Sequence, residues 1–127
     1  MYSWQELVRL PESQLADCDI AAVNFGCAKG LPGTENVDVQ ACLRIIDSYA
    51  VRVREHTARI AGQFHTRPDA FNHSWAFFRV MDMVTVLQRD LGAHYHQRLI
   101  DANDSEFFGR AEHLFLHGIV MGKGGTC

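Results

Sequence analysis

The sequence predicts an all-α fold, an irregular bundle of about five helices. Apolar residues recur at steps of three and four, and capping residues stand ahead of several of those runs. No stretch alternates apolar and polar residues as a half-buried strand would. In order along the chain, Ser3 with Glu6 fits a capping box that opens a short helix ending near Leu10-Pro11. A second helix is expected from Pro11 or Glu12 to Lys29, stopped by a left-handed Gly30. Leu15, Cys18, Ala22 and Phe25 or Gly26 form its inner stripe. Leu31-Pro32-Gly33-Thr34-Glu35-Asn36 reads as a turn, and Asp38 as the cap of a third helix. There Val39, Leu43, Ile46, Ala50, Val53, Thr57 and Ile60 mark one buried face, with Arg44, Asp47, Arg52, Arg54, Glu55 and Arg59 on the solvated side.

Thr66-Arg67-Pro68-Asp69 breaks that helix, and Asn72 or Ser74 opens a fourth that ends at Leu91-Gly92. Its apolar residues surround a thin polar stripe of Arg79, Asp82 and Thr85, so it is expected at the centre of the bundle, with Arg79 and Asp82 placed to pair. A loop follows over 101–105, and a last helix over about Ala111 to Met121.

With 127 residues, 47% hydrophobic and 21% charged, the chain has the composition of an ordinary globular domain. Net charge is −3 and the basic residues are scattered, which argues against a nucleic-acid or anionic-membrane partner. No apolar run is long enough to span a bilayer, and the amino terminus lacks the pattern of a signal peptide, so a cytoplasmic location is expected. Four cysteines without CxxC spacing read as buried free thiols, with Cys18, Cys27 and Cys42 in partly apolar helical contexts.

Three constellations invite chemistry. His113 and His117, four apart on one helix, have a spacing that two metal ligands can use, with His94 and His96 as further donors and Glu112 or Asp90 to complete a site. Leu114 stands where a metalloprotease helix carries Glu, and no metal or cofactor is expected. Gly118-Ile119-Val120-Met121-Gly122-Lys123 has three residues between its glycines instead of four, with Gly124 where Ser or Thr should hold magnesium. It is not a phosphate loop. The third is the ending Gly124-Gly125-Thr126-Cys127, a glycine-rich turn delivering a thiol. From the residues alone a structural thiol is the more frequent case, because no base is visible beside it.

Gly122-Lys123-Gly124-Gly125-Thr126-Cys127, preceded by Leu114-Phe115-Leu116-His117-Gly118, resembles the nucleophile region of bacterial transglutaminase-like cysteine enzymes. The stretch Leu15 to Asn24 with Gly30-Leu31-Pro32-Gly33, and the stretch Trp75 to Gly92, resemble the helical leader of one branch of that superfamily. The resemblance implies an α+β, papain-like parent in which residues 1–117 form a helical amino-terminal region and 118–127 begin the core. It implies Cys127 as the nucleophile of acyl transfer or amide hydrolysis through a thioester. The partner His and acid would lie beyond position 127, and none of the seven histidines matches the family base. Without that base the thiol keeps a pKa of about 8.5 and the chain alone is expected to be inactive. The partners implied are the downstream core or a protein or peptide substrate. Self-association is expected through the apolar surface of Leu114, Phe115, Ile119 and Val120. The alternative is a self-contained helical interaction module without catalysis.

Overall fold

The computed structural model describes residues 2–96 and 109–125. The expected loop over 101–105 and Cys127 lie outside the described residues. The chain forms two compact units, one of Met1–Arg44 with His94–Cys127 and one of Ile45–Ala93. The described elements are helical, with one isolated parallel bridge between Tyr95 and Gly125. Among the described residues no helix is long and apolar enough to cross a membrane.

In the first unit, α1 (Trp4–Leu7) opens where the Glu6 carboxylate accepts hydrogen bonds from the Ser3 N–H at 2.7 Å and the Ser3 hydroxyl at 2.9 Å. The expected second helix is two helices, α2 (Glu12–Ala16) and α3 (Ile20–Ala28). Asp19 causes the break. Its side chain accepts the Ala22 N–H at 2.8 Å while its own backbone stays extended, so it caps a new helix instead of continuing the old one. Leu15, expected on the inner stripe, is consequently exposed, whereas Phe25, Gly26 and Ala28 are buried. Gly26 lies so close to the Tyr2 carbonyl that no side chain fits there. Gly30 has the expected positive φ, +84°, just past the end of α3. Asp38 caps α4 (Val39–Thr66) by accepting the Ala41 N–H at 3.0 Å. Cys42 is buried on this helix, and Cys18 and Cys27 are half-buried.

The second unit holds the rest of α4. The six charged residues expected on the solvated side of this helix are exposed. Of the expected buried face, Thr57 is buried, Ile46, Val53 and Ile60 are half-buried, and Ala50 is exposed. After a 3-10 turn at Pro68–Phe71, Asn72 and His73 adopt positive φ, and Ser74 caps α5 (Trp75–Thr85) through the Phe77 N–H at 3.2 Å. The helix passes into a π turn at Val86–Asp90 before Gly92, at φ +70°. Phe64, Phe71, Trp75 and Phe78 form an aromatic cluster, with Phe71 edge-on to Phe78 at 4.8 Å and Trp75 stacked on Phe78 at 5.1 Å.

α5 buries a narrower face than expected, and its expected polar stripe is split, with Arg79 and Thr85 exposed but Asp82 buried. Phe78, Asp82 and Val86, four residues apart, are the buried side, while Phe77, Val80, Met81 and Val84 are exposed. Asp82 does not pair with Arg79. Its Oδ2 accepts the Thr57 hydroxyl at 2.5 Å and its Oδ1 lies 2.6 Å from His56 Nδ1. A buried carboxylate is tolerated when each oxygen finds a donor, and α4 supplies two from adjacent positions. The polar residue thus faces inward because its partners are there.

Candidate functional site

The expected last helix is broken. α6 (Ala111–Leu114) and α7 (Leu116–Val120) are separated by Phe115 in extended conformation, at φ −117° and ψ 160°. Leu116 gives its N–H to Asn24 Oδ1 at 2.9 Å, so the second segment starts as a new helix capped from α3. At the amino end of α6, the Ala111 N–H donates to the Pro32 carbonyl at 2.9 Å. Two stretches distant in sequence, one around Asn24 and one around Pro32, therefore hold the segment that leads into the glycines.

α7 ends in a Schellman turn. The Lys123 N–H bonds the Gly118 carbonyl at 2.8 Å and the Gly122 N–H bonds the Ile119 carbonyl at 3.0 Å, with Gly122 at φ +73°. Gly124 follows at φ +80°, and a Cβ on it would press His94 Nε2 and His96 Cα at 3.1 Å. Gly125 forms the bridge to Tyr95: its N–H donates to the His94 carbonyl at 3.2 Å, and its carbonyl accepts the His96 N–H at 3.0 Å. A Cβ on Gly125 would meet the Ile119 side chain at 2.7 Å, and one on Gly118 would collide with the Glu112 carbonyl. The glycines are thus required by turn geometry and close approach.

Glu112 locks this turn. It is 9% exposed, and its carboxylate accepts Lys123 Nζ at 2.7 Å and Arg110 Nε at 3.0 Å. These two hydrogen bonds, Lys123 first, hold its pKa down at about 2 from the usual 4.5, against the opposing effect of burial. The lysine that would have been the phosphate-loop lysine is instead the tether between the turn and α6.

The break at Phe115 also separates the histidines. His96 and His113 rings lie 5.2 Å apart, with His113 Nε2 3.8 Å from Glu112 Oε1, and His94 beside Gly124. His117 goes elsewhere: it is 1% exposed, roughly parallel to the Phe115 ring at 6.5 Å. His113 and His117 do not share a face of one helix, because Phe115 interrupts the helical phase between them. Among the described residues no group of three His, Cys, Asp or Glu side chains is arranged to hold a metal ion. Asp90 is paired with its neighbour Arg89 at 2.9 Å. Cys127, two positions after Gly125, lies outside the described residues.

Three participants escape sequence reasoning. Asn24 and Pro32 carry no pattern that announces a contact roughly 80–90 positions away, and Glu112 stands out in the sequence only as a possible metal ligand. The signal for Glu112 was its charge in an otherwise apolar run, between Arg110 and Lys123. No family model, curated protein or solved structure matches the chain.

Proposed function

We propose that this chain is the helical leader and nucleophile segment of a transglutaminase-like cysteine acyltransferase or amide hydrolase, with Cys127 as the nucleophile. The observation that carries this reading is the held glycine turn. The first of the two leader stretches that resemble the family contributes Asn24 and Pro32, and both bind the α6–α7 segment that precedes Cys127. The Glu112–Lys123 tether and the Tyr95–Gly125 bridge then restrain the turn on either side of Gly124. A nucleophile benefits from such restraint because reactivity falls steeply with small misplacement.

In the proposed reaction the Cys127 thiolate attacks an amide carbonyl carbon. The C–N bond breaks, the amine leaves with a proton from a general acid, and a thioester remains. Attack by water or a second amine releases the acyl group and restores the thiol. Base and acid come from residues beyond these 127 positions, and the substrate is a protein or peptide amide. Of the expected apolar surface only Leu114 is exposed, while Phe115, Ile119 and Val120 are half-buried; Leu114 with the exposed Met121 supports a smaller apolar surface for the downstream core, or for self-association where that core is missing.

A second reading, a helical interaction module without catalysis, draws on α5. Phe77, Val80, Met81 and Val84 form an exposed stripe at steps of three and four.

The test is to express the chain together with the residues encoded after Cys127 and to measure ammonia release from glutamine peptides. Release that disappears in Cys127→Ala is the expected result. A stop codon directly after the Cys127 codon in an intact locus, or release indifferent to Cys127→Ala, would refute the enzyme reading.

A further inference from the structure

A groove of about 420 Å³ lies between α1, α2 and α3, and its lining shares no residue with the glycine turn. That volume falls in the range of small-molecule sites and far exceeds what a single benzene ring needs. The buried Leu7 and the half-buried Ala22 and Val23 form its floor, and the exposed Tyr2 stands at its edge. The groove opens where the helix breaks at Asp19: Asp17 and Asp19 both border the break, both line the groove, and both are exposed to anything that enters it.

The charge of this lining has one sign. Among the described residues no Lys, Arg or His lines the groove, and neither aspartate forms an ion pair. Asp19 Oδ1 accepts the Ala22 N–H at 2.8 Å, which leaves its other oxygen for a donor in the groove. An ammonium group supplies such donors with the matching charge, and at this depth it keeps part of its hydration. The floor rewards an apolar body, and the Tyr2 ring rewards an aromatic one. A carboxylate would meet two like charges, and a neutral molecule would gain the floor alone.

We propose that this groove binds a small molecule carrying one ammonium group on an aromatic body, of about the size of phenethylamine. The ammonium lies on Asp17 and Asp19, and the body covers Leu7, Ala22 and Val23. The two carboxylates are not equal. Asp19 caps α3, whose amino end carries partial positive charge and offsets part of its attraction, so Asp17 is the stronger anchor. The site is separate from the thiol chemistry and does not depend on it.

The experiment uses the whole ¹⁵N-labelled chain, titrated separately with phenethylamine, phenethyl alcohol and phenylpropionate, while the amide signals of Ala22 and Val23 are followed. Saturable movement with the amine is expected, with the alcohol about tenfold weaker and the carboxylate weaker still. Salt at about 1 M should cut the advantage of the amine over the alcohol to about twofold. Asp17→Asn should weaken the amine about threefold and leave the alcohol unchanged. Asp19→Asn should cost less, and it leaves α3 capped because Asn caps as well as Asp. Ala22→Leu keeps the helix and fills the floor, so it should abolish binding of the amine and the alcohol. N-acetyl-lysine methylamide, which presents the ammonium as a protein would, should bind more weakly than phenethylamine, because its stem has no ring to lie on Tyr2. Equal affinity for amine and alcohol, an amine indifferent to Asp17→Asn and to salt, binding that persists in Ala22→Leu, or a lysine derivative that binds as tightly would each overturn the proposal. Asp17→Asn alters an exposed side chain, so the test stands even where Ala22→Leu fails to fold.

Discussion

Glu112→Gln tests whether the carboxylate is what holds the glycine turn. The substitution keeps the shape and one acceptor oxygen while removing the charge that attracts Lys123 and Arg110. A drop in pKa from 4.5 to about 2 corresponds to ~3.4 kcal/mol at 1.36 kcal/mol per pH unit. Arg110 and Lys123 side chains are 54% and 45% exposed, and water screens their attraction, so about 1–2 kcal/mol is the stability expected from the charge. Because the folded carboxyl binds its proton less tightly than the unfolded one, this contribution is complete above about pH 4.5 and is lost as pH falls toward 2. Urea unfolding of the first unit, read from Trp4 in a Trp75→Phe background, should therefore separate parent and variant by about 1–2 kcal/mol at pH 7. The gap should hold to about pH 5 and close between pH 4.5 and 2. A gap that stays constant across that range, or no gap at pH 7, would show that the charge does not hold the turn.

Gly118→Ala should be more damaging than any surface change, costing about 3 kcal/mol or more, because its Cβ would collide with the backbone carbonyl of Glu112; thermal unfolding measures it. Asp82→Ala should destabilise the second unit by about 3–5 kcal/mol, since it leaves His56 and Thr57 without their acceptor; Trp75 fluorescence in a Trp4→Phe background reads that unit. Iodoacetamide should label Cys127 first, then Cys18 and Cys27, and Cys42 last. Cys42 is buried, and burial together with nearby Asp38 raises its thiol pKa, so mass spectrometry that finds Cys42 modified early would contradict its placement.

The helical class, the caps at Ser3, Asp38 and Ser74, the stop at Gly30 and the break at Arg67-Pro68 are all legible in the sequence. Each depends on residues within a few positions of one another, which is the range over which capping and backbone preference act. The resemblance of the ending to a thiol-enzyme turn is also a property of adjacent residues. What only the tertiary structure decided is where polar groups find partners. Asp82 faces inward because His56 and Thr57 stand opposite it, and hydrophobic periodicity counts a carboxylate as outward regardless of what it meets. The helix break at Asp19 is made by a local cap that the periodicity overrode, whereas the break at Phe115 has its Leu116 N–H taken by Asn24, a distant bond that the local pattern does not encode. The same break sends His117 into the interior and His113 to His96, dividing a pair whose spacing in sequence placed them together. Local propensity is worth a few tenths of a kcal/mol per residue, whereas an unmatched buried polar group costs several times that, so the two donors opposite Asp82 set its orientation.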